Sequence, residues 1–157
     1  LSLHDALPIS SVDYSMVSME AFEIYAANHD IHVMDFVLKL DAYTYYMMNL
    51  LDYLIGNTDR HWGNWGFLVD NRTNQPVRLF DLMDLNQTFL AYDTPDGANC
   101  MTTGNRKMSQ REAAVEAVKK IGLNQRAEIK DEWFKGREKE REMFWCRFGI
   151  LKEQWKA

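Results

Sequence analysis

Cysteine is scarce in this chain, and long apolar runs are absent from it. The two cysteines, Cys100 and Cys146, lie far apart and form no Cys-x-x-Cys pair. This spacing argues against a disulfide-bonded scaffold or a zinc-binding domain and favours a reducing compartment. No apolar run reaches the length of about 18 residues that a membrane-spanning helix needs. We therefore expect a cytoplasmic protein without a membrane span.

Positive charge is scarce in the first two thirds of the chain. Residues 1–105 carry 4 basic and 14 acidic side chains, and residues 106–157 carry 14 and 9, so their net charges are −10 and +5. In the second part, lysine and arginine are interleaved with glutamate, a pattern more typical of a solvated helix face than of a nucleic-acid interface. We therefore do not expect direct binding to nucleic acid.

Glycine is absent from the first 55 residues, and lysine occurs there once, as Lys39. Lys39 lies within a predicted helix. This stretch therefore contains neither a glycine-rich loop that covers nucleotide phosphates nor a strand lysine that pairs with them.

The pattern of apolar residues predicts a fold that is mainly α with a small β-hairpin. Apolar positions at helical spacing predict a short helix over residues 17–28 and a long, buried central helix from Met34 to Ile55 that Gly56 ends. Strands at 65–69 and 77–80, joined by turn-forming residues, predict the hairpin. Ser109 and Glu112 form a capping box that opens a helix ending at Gly122. A last helix should begin near Asn124 and continue past Gly136, with its aromatic residues packed on the central helix.

Polar residues with a distinctive spacing follow the central helix. Asp59 and, five residues later, Asn64 lie in the loop after Gly56, and the acidic run after the hairpin contains Asp81 and Asp84. An Asp that accepts the proton of an attacking hydroxyl, an Asn five residues on and a later metal-binding Asp are the parts of a phosphoryl-transfer site. Two carboxylates about 4 Å apart repel by roughly 4 kcal/mol at an effective dielectric near 20. The site therefore implies a divalent ion, and its oxygen ligands favour magnesium or manganese over zinc.

The segment Gly56-Asn-Thr-Asp-Arg-His-Trp-Gly-Asn64, with the hairpin and the Leu-Met-Asp-Leu-Asn run behind it, resembles the C-terminal lobe of HipA-like kinases. These are serine/threonine kinases of bacterial toxin–antitoxin systems, and their Asn-x-Asp-x-His-x-x-Asn pattern falls here on Asn57, Asp59, His61 and Asn64. The resemblance implies Asp59 as catalytic base, Asn57, His61 and Asn64 as cofactor-binding residues, and Mg²⁺ and ATP as cofactors. It makes Asn64 and Asp84 the metal ligands, with Asp81 as second choice. It also implies a protein substrate with a Ser or Thr hydroxyl.

Three other interpretations stay open. The Asp-Arg-His-x-x-Asn order of residues 59–64 also resembles the loop of phosphoinositide kinases, which phosphorylate lipids. A kinase-like binding module without turnover would instead recruit a partner, for which the resemblance implies an antitoxin-type DNA-binding protein. A small structural helical domain, in which Asp59 and Asn64 serve as turn residues, would have no nucleotide site.

The two ends of the chain differ in what we expect of them. Residues 1–9 match, in translation, one reading frame of a widely used sequencing-library adapter, so we expect them not to be native. Residues 10–157 should form the C-terminal lobe of a protein-kinase-like fold, with the catalytic loop at 56–66, the hairpin at 65–84 and the C-terminal helices at 109–157. The N-terminal lobe, with its glycine-rich loop, is missing, and we expect the chain alone to be nearly inactive.

Overall fold

A computed structural model describes residues 13–89, 94–103, 108–123 and 128–156, so the adapter-like residues 1–9 lie outside it. The described chain is mixed α/β, with four α-helices and a three-stranded antiparallel sheet. It divides into two compact units. The first combines the residues up to Asp41 with Trp62–Met83, and the second combines Ala42–His61 with the residues from Asp84 onward. Among the described helices, none combines the length and the apolar character needed to cross a membrane.

The first unit is built on the sheet. Strands β1 (Tyr14–Ser18), β2 (Gly66–Asp70) and β3 (Gln75–Leu79) pair in the order β1-β2-β3, with a register irregularity between Leu68 and Val69. Helix α1 (Met19–Ala27) follows β1 directly, and the Ser18 side chain accepts a hydrogen bond from Ala21 N at its start. The predicted hairpin is confirmed as β2 and β3, but it is part of a larger sheet.

The core of the first unit is aromatic. Phe22 of α1 lies 4.7 Å from Phe67 of β2 and 4.9 Å from Phe36, measured between ring centroids, and the last two rings lie 5.6 Å apart. Met19 and Val37 are fully buried beside them in this unit. The three rings join a helix, a strand and a second helix, and each such pair adds about 0.5–1.5 kcal/mol beyond the burial of its area.

The sequence did not predict β1, because Tyr14 and Ser15 are exposed and the strand has no alternation of apolar and polar residues. The strand forms because it pairs with β2. All five residues pair with β2 in a regular antiparallel register from Tyr14 with Asp70 to Ser18 with Gly66. The strand is therefore defined by tertiary pairing rather than by its own propensity.

Helix α2 (Val33–Ile55) matches the predicted central helix in its bounds, but Asp41 interrupts it with φ −155° and ψ 66°. The Oδ2 atom of Asp41 accepts a hydrogen bond from Leu79 N at 3.1 Å. Aspartate side chains that bond to backbone groups compete with helical geometry. The prediction of one continuous central helix was therefore wrong at this residue, where the first of the two segments that make up the first unit ends.

The second unit consists of residues 42–55 of α2, helices α3 (Gln110–Ile121) and α4 (Glu138–Lys156) and a 3₁₀ turn at Asp131–Phe134. The predicted capping box is confirmed: Ser109 Oγ accepts from Glu112 N, and Glu112 Oε2 accepts from Ser109 N at 2.7 Å. Ser109 Oγ also donates to Glu112 Oε2, at 3.0 Å, and the two bonds that the carboxyl accepts from Ser109 lower the pKa of Glu112. Gly122 ends α3 with φ 73°.

The start predicted for the last helix, near Asn124, lies outside the described residues. The prediction that this helix continues past Gly136 was wrong, because residues 128–130 are not helical and α4 begins at Glu138, after Gly136 with φ 76°. A left-handed residue cannot continue a helix, so Gly136 separates the 3₁₀ turn from α4. Phe134, Phe144 and Leu151 are buried, whereas Trp155 is 54% exposed.

Candidate functional site: the loop after helix α2

Helix α2 ends in a hydrogen-bonded glycine motif. Gly56 has φ 63°, Asn57 N donates to Asp52 O at 2.9 Å, and Gly56 N donates to Tyr53 O at 3.4 Å. This is the Schellman pattern, in which a left-handed residue reverses the chain and satisfies the last carbonyls of a helix. The predicted Gly56 stop is confirmed, and the loop that carries Asp59 leaves the helix in a defined direction.

A buried ion pair holds the loop to the last turns of α2. Arg60 donates from Nε to Asp52 Oδ2 at 2.8 Å and from Nη2 to Asp52 Oδ1 at 3.0 Å, and the two side chains are 3% and 5% exposed. Asn57 Nδ2 donates to the same Oδ1 atom at 2.9 Å. One carboxylate thus accepts three side-chain hydrogen bonds, two of them from a bidentate arginine, the strongest geometry for such a pair.

Asp59 lies between two residues that Asp52 holds. Its backbone N donates to Asn57 Oδ1 at 3.3 Å, and Arg60 follows it directly. Asn57 is fully buried, whereas Asp59 is half-buried and His61 is exposed. Asn57 therefore uses its side chain inside the loop, while the carboxylate of Asp59 is on a residue that solvent reaches.

Gln110, the first residue of α3, connects the loop to another segment of the second unit. Its Nε2 atom donates to Asn57 O at 2.6 Å, and its Oε1 atom accepts from Ala98 N at 3.0 Å. Gly97, with φ 68°, is next to this contact, and a Cβ there would lie 2.6 Å from Gln110 Oε1. Glycine suits position 97 because its φ is positive and because the glutamine side chain occupies the space that a Cβ would take.

A cavity of about 10 Å³ lies beside this network, which is about the volume that a single water molecule needs. Most of the residues that line it have polar side chains, and they include Asp52, Arg60 and Gln110. Nearby, the buried Thr102 donates its hydroxyl to Asn49 Oδ1, and Cys100 Sγ lies 3.1 Å from Thr102 Oγ1. Buried polar groups of α2 thus bond to the segment around residue 100 as well as to the loop.

Asp84 is exposed and has φ 54°, an uncommon value for a residue with a side chain. The turn that follows it contacts the same end of α2: Phe89 N donates to Ile55 O at 2.9 Å. The loop of Asp59 and the segment of Asp84 are therefore both attached, within the second unit, at the C-terminal end of one helix.

Asn64 and Asp81 belong to the first unit. Asn64 is 4% exposed and precedes β2, and Asp81 follows β3. Phe80 N donates to Gly66 O at 2.8 Å, so the strand pairing extends close to both residues. Asp81 is exposed and accepts a hydrogen bond from Arg78 Nη1 at 2.8 Å.

The predicted residues thus fall into two sets. Asn57, Asp59, His61 and Asp84 are in the second unit, and Asn64 and Asp81 are in the first. Within the described ranges, no three His, Cys, Asp or Glu side chains come together as a metal site. The predicted ligand set has two acids and an amide, so it does not require such a group, and the predicted roles stay predictions.

Sequence reasoning missed Asp52 and Gln110. An arginine inside a polar loop requires an acidic partner when it is buried, and Asp52, one turn before the helix end, was the available candidate. No local signal marks Gln110, which is 53 residues from its partner Asn57.

Comparison of the chain with protein-family models, with curated proteins and with solved structures gives no significant match.

Proposed function

We propose that this chain carries the catalytic loop of an ATP- and Mg²⁺-dependent phosphotransferase, most closely resembling the HipA-like protein serine/threonine kinases. In this proposal Asp59 is the general base, Asn64 and Asp84 are metal ligands, and a Ser or Thr hydroxyl of a protein is the acceptor. The observation that carries it is the shared attachment of the Asp59 loop and the Asp84 segment at the end of α2. A phosphoryl-transfer site needs a base and a metal-binding acid near one another.

The chemistry follows from the groups present. The carboxylate of Asp59 accepts the proton of the acceptor hydroxyl, and the oxygen of that hydroxyl bonds to the γ-phosphorus. ADP leaves with the electrons of the broken P–O bond. Asp59 and Asp84 are both at least partly exposed, and carboxylate and amide oxygens are the hard ligands that Mg²⁺ takes. When bound, the ion would neutralise charge on the phosphate oxygens.

The test is an assay of the full-length gene product with ATP labelled at the γ-phosphate and with Mg²⁺. Its two acceptor arms are a protein mixture and phosphatidylinositol vesicles. We expect label on protein Ser or Thr that disappears when EDTA removes the metal. Label confined to the lipid would favour the phosphoinositide-kinase alternative. Binding of Mg-ATP without any transfer would favour the binding module. The absence of both binding and transfer would overturn the proposal.

The two candidate metal acids can be separated by paired substitutions. We expect Asp84→Asn to raise the Mg²⁺ concentration needed for half-maximal transfer at least tenfold, since even residues behind the direct ligands contribute about 10- to 100-fold to metal affinity. Asp81→Asn removes only an exposed ion pair with Arg78, which contributes about 0–1 kcal/mol to stability. A magnesium titration of both variants measures the Mg²⁺ concentration for half-maximal transfer. A larger increase in Asp81→Asn than in Asp84→Asn would indicate that Asp81 is the metal ligand.

A further inference from the structure

The side chain of Asp52 contacts the residues on both sides of Asp59. It accepts hydrogen bonds from Asn57 and from Arg60, and Asn57 in turn accepts from the backbone N of Asp59. We propose that Asp52 is a positioning residue that fixes the backbone of Asp59 through Asn57 and Arg60. The role of Asp59 as base rests on the function proposed above, whereas the positioning of residue 59 does not.

The chemistry of a carboxylate determines how the Asn57 amide is oriented. An ionised Asp only accepts hydrogen bonds, whereas an Asn amide has a donor end and an acceptor end. Because Asp52 Oδ1 can only accept, Asn57 must turn its Nδ2 atom toward it, at 2.9 Å. That orientation leaves Asn57 Oδ1 to accept from Asp59 N. Asp52 thereby determines that the oxygen of the Asn57 amide faces the backbone N of Asp59.

Arg60 fixes the backbone on the C-terminal side of Asp59. Its guanidinium forms two bonds to one carboxylate in a buried setting, and a planar fork of this type defines direction as well as distance. Gln110 adds a bond to the carbonyl oxygen of Asn57. Residues 57 and 60 are therefore tied to helices α2 and α3, and the backbone of Asp59 lies between two fixed points.

The substitution Asp52→Asn keeps the shape of the side chain and removes this constraint. The introduced amide can donate as well as accept, so the Asn57 amide is free to turn over and present its NH₂ group to Asp59 N, where no hydrogen bond forms. Small misplacements of a reacting group cost about 10²-fold in rate. In the full-length gene product we expect Asp52→Asn to lower kcat about 10²-fold with less than about a twofold change in KM for ATP. Asp52→Glu, which stays an acceptor only, should restore kcat to within about tenfold of wild type.

A second measurement does not depend on activity. In the chain itself, amide hydrogen exchange of Asp59 should be accelerated by Asp52→Asn, while amides in the middle of α4 keep their wild-type rates. The matched control is Leu151→Ala. Leu151 is a fully buried residue of α4 in the same unit, and this change lowers stability through a residue outside the loop. For this control we expect kcat per folded molecule to equal wild type.

The outcomes separate the two proposals. Unchanged exchange at Asp59 in folded Asp52→Asn overturns the positioning role, as does an equal loss of kcat in Leu151→Ala. Faster exchange at Asp59 with no phosphoryl transfer by any variant, wild type included, supports the positioning role and removes the proposed function. If Asp52→Asn does not fold, Arg60→Lys replaces it, since lysine keeps the charge but loses the bidentate geometry. It should shift exchange and kcat in the same directions, and no shift would overturn the proposal.

Discussion

Replacing Asp59 by asparagine should lower the rate of phosphoryl transfer by about 10²- to 10⁴-fold, the range over which a positioned general base contributes. Asparagine has nearly the same shape but cannot accept the proton of the attacking hydroxyl. Asp59 is half-buried, and its hydrogen bond to the Asn57 side chain uses the backbone N, which the substitution keeps. We therefore expect that hydrogen bond to remain and the loss to appear in kcat per folded molecule, measured by steady-state transfer and by thermal unfolding of the same preparation.

The control for this change is Asp131→Asn, which removes the same charge from the second unit. Asp131 is exposed and accepts from Arg141 and Trp145 on the surface. Exposed pairs contribute about 0–1 kcal/mol, so transfer should stay at the wild-type rate. Equal transfer by wild type and Asp59→Asn would remove Asp59 from the mechanism, and an equal loss in both variants would indicate a general effect of charge.

Gly66→Ala should strongly destabilise the first unit. A Cβ at this position would lie 2.1 Å from the carbonyl oxygen of Val17 and 2.8 Å from Ser18 Cα. Both are backbone atoms of paired strand β1, so no side-chain rotation relieves the clash, and β1 must move away from β2. Overpacking costs about 1–3 kcal/mol and occasionally more. Because the clash is with backbone, we expect a loss of about 3 kcal/mol or more, measured by urea unfolding.

The same substitution at another glycine gives the matched comparison. Gly149 lies within α4, and a Cβ there would meet no atom within 4 Å. Alanine is favoured over glycine inside a helix by about 0.5–1 kcal/mol, so Gly149→Ala should stabilise the chain. If both substitutions changed stability by similar amounts in the same direction, the close approach of β1 to Gly66 would not be the cause.

The sequence predicts the elements whose signals are local. The capping box of Ser109 and Glu112, the glycine stop at Gly56 and the β2–β3 hairpin all depend on residues a few positions apart, and all three are confirmed. The interruption of α2 at Asp41 and the strand β1 were not predicted, because each depends on a partner in a distant segment. The partner of Asp41 is Leu79, and the partner of β1 is β2. Tertiary contacts override local propensity in both cases.

The candidate site shows the same division. The residue types and the spacing of Asp59, Asn64 and Asp84 are visible in the sequence and predict their chemistry. The acceptor role of Asp52 is not visible without knowing that Arg60 is buried, because a helix aspartate near a predicted end is usually a solvated residue. Only the return of Arg60 toward the helix, which the reversal at Gly56 produces, makes Asp52 a buried partner.

The Asp52 contacts also bear on the order in which the loop forms. They join residues only five and eight positions apart, whereas the Gln110 contact joins residues 53 positions apart. Closing the shorter segments costs roughly 2 kcal/mol less chain entropy than closing the longer one. Contacts between near neighbours form early in folding. The Asp52 contacts around residue 59 should thus form earlier in folding than the contact from Gln110.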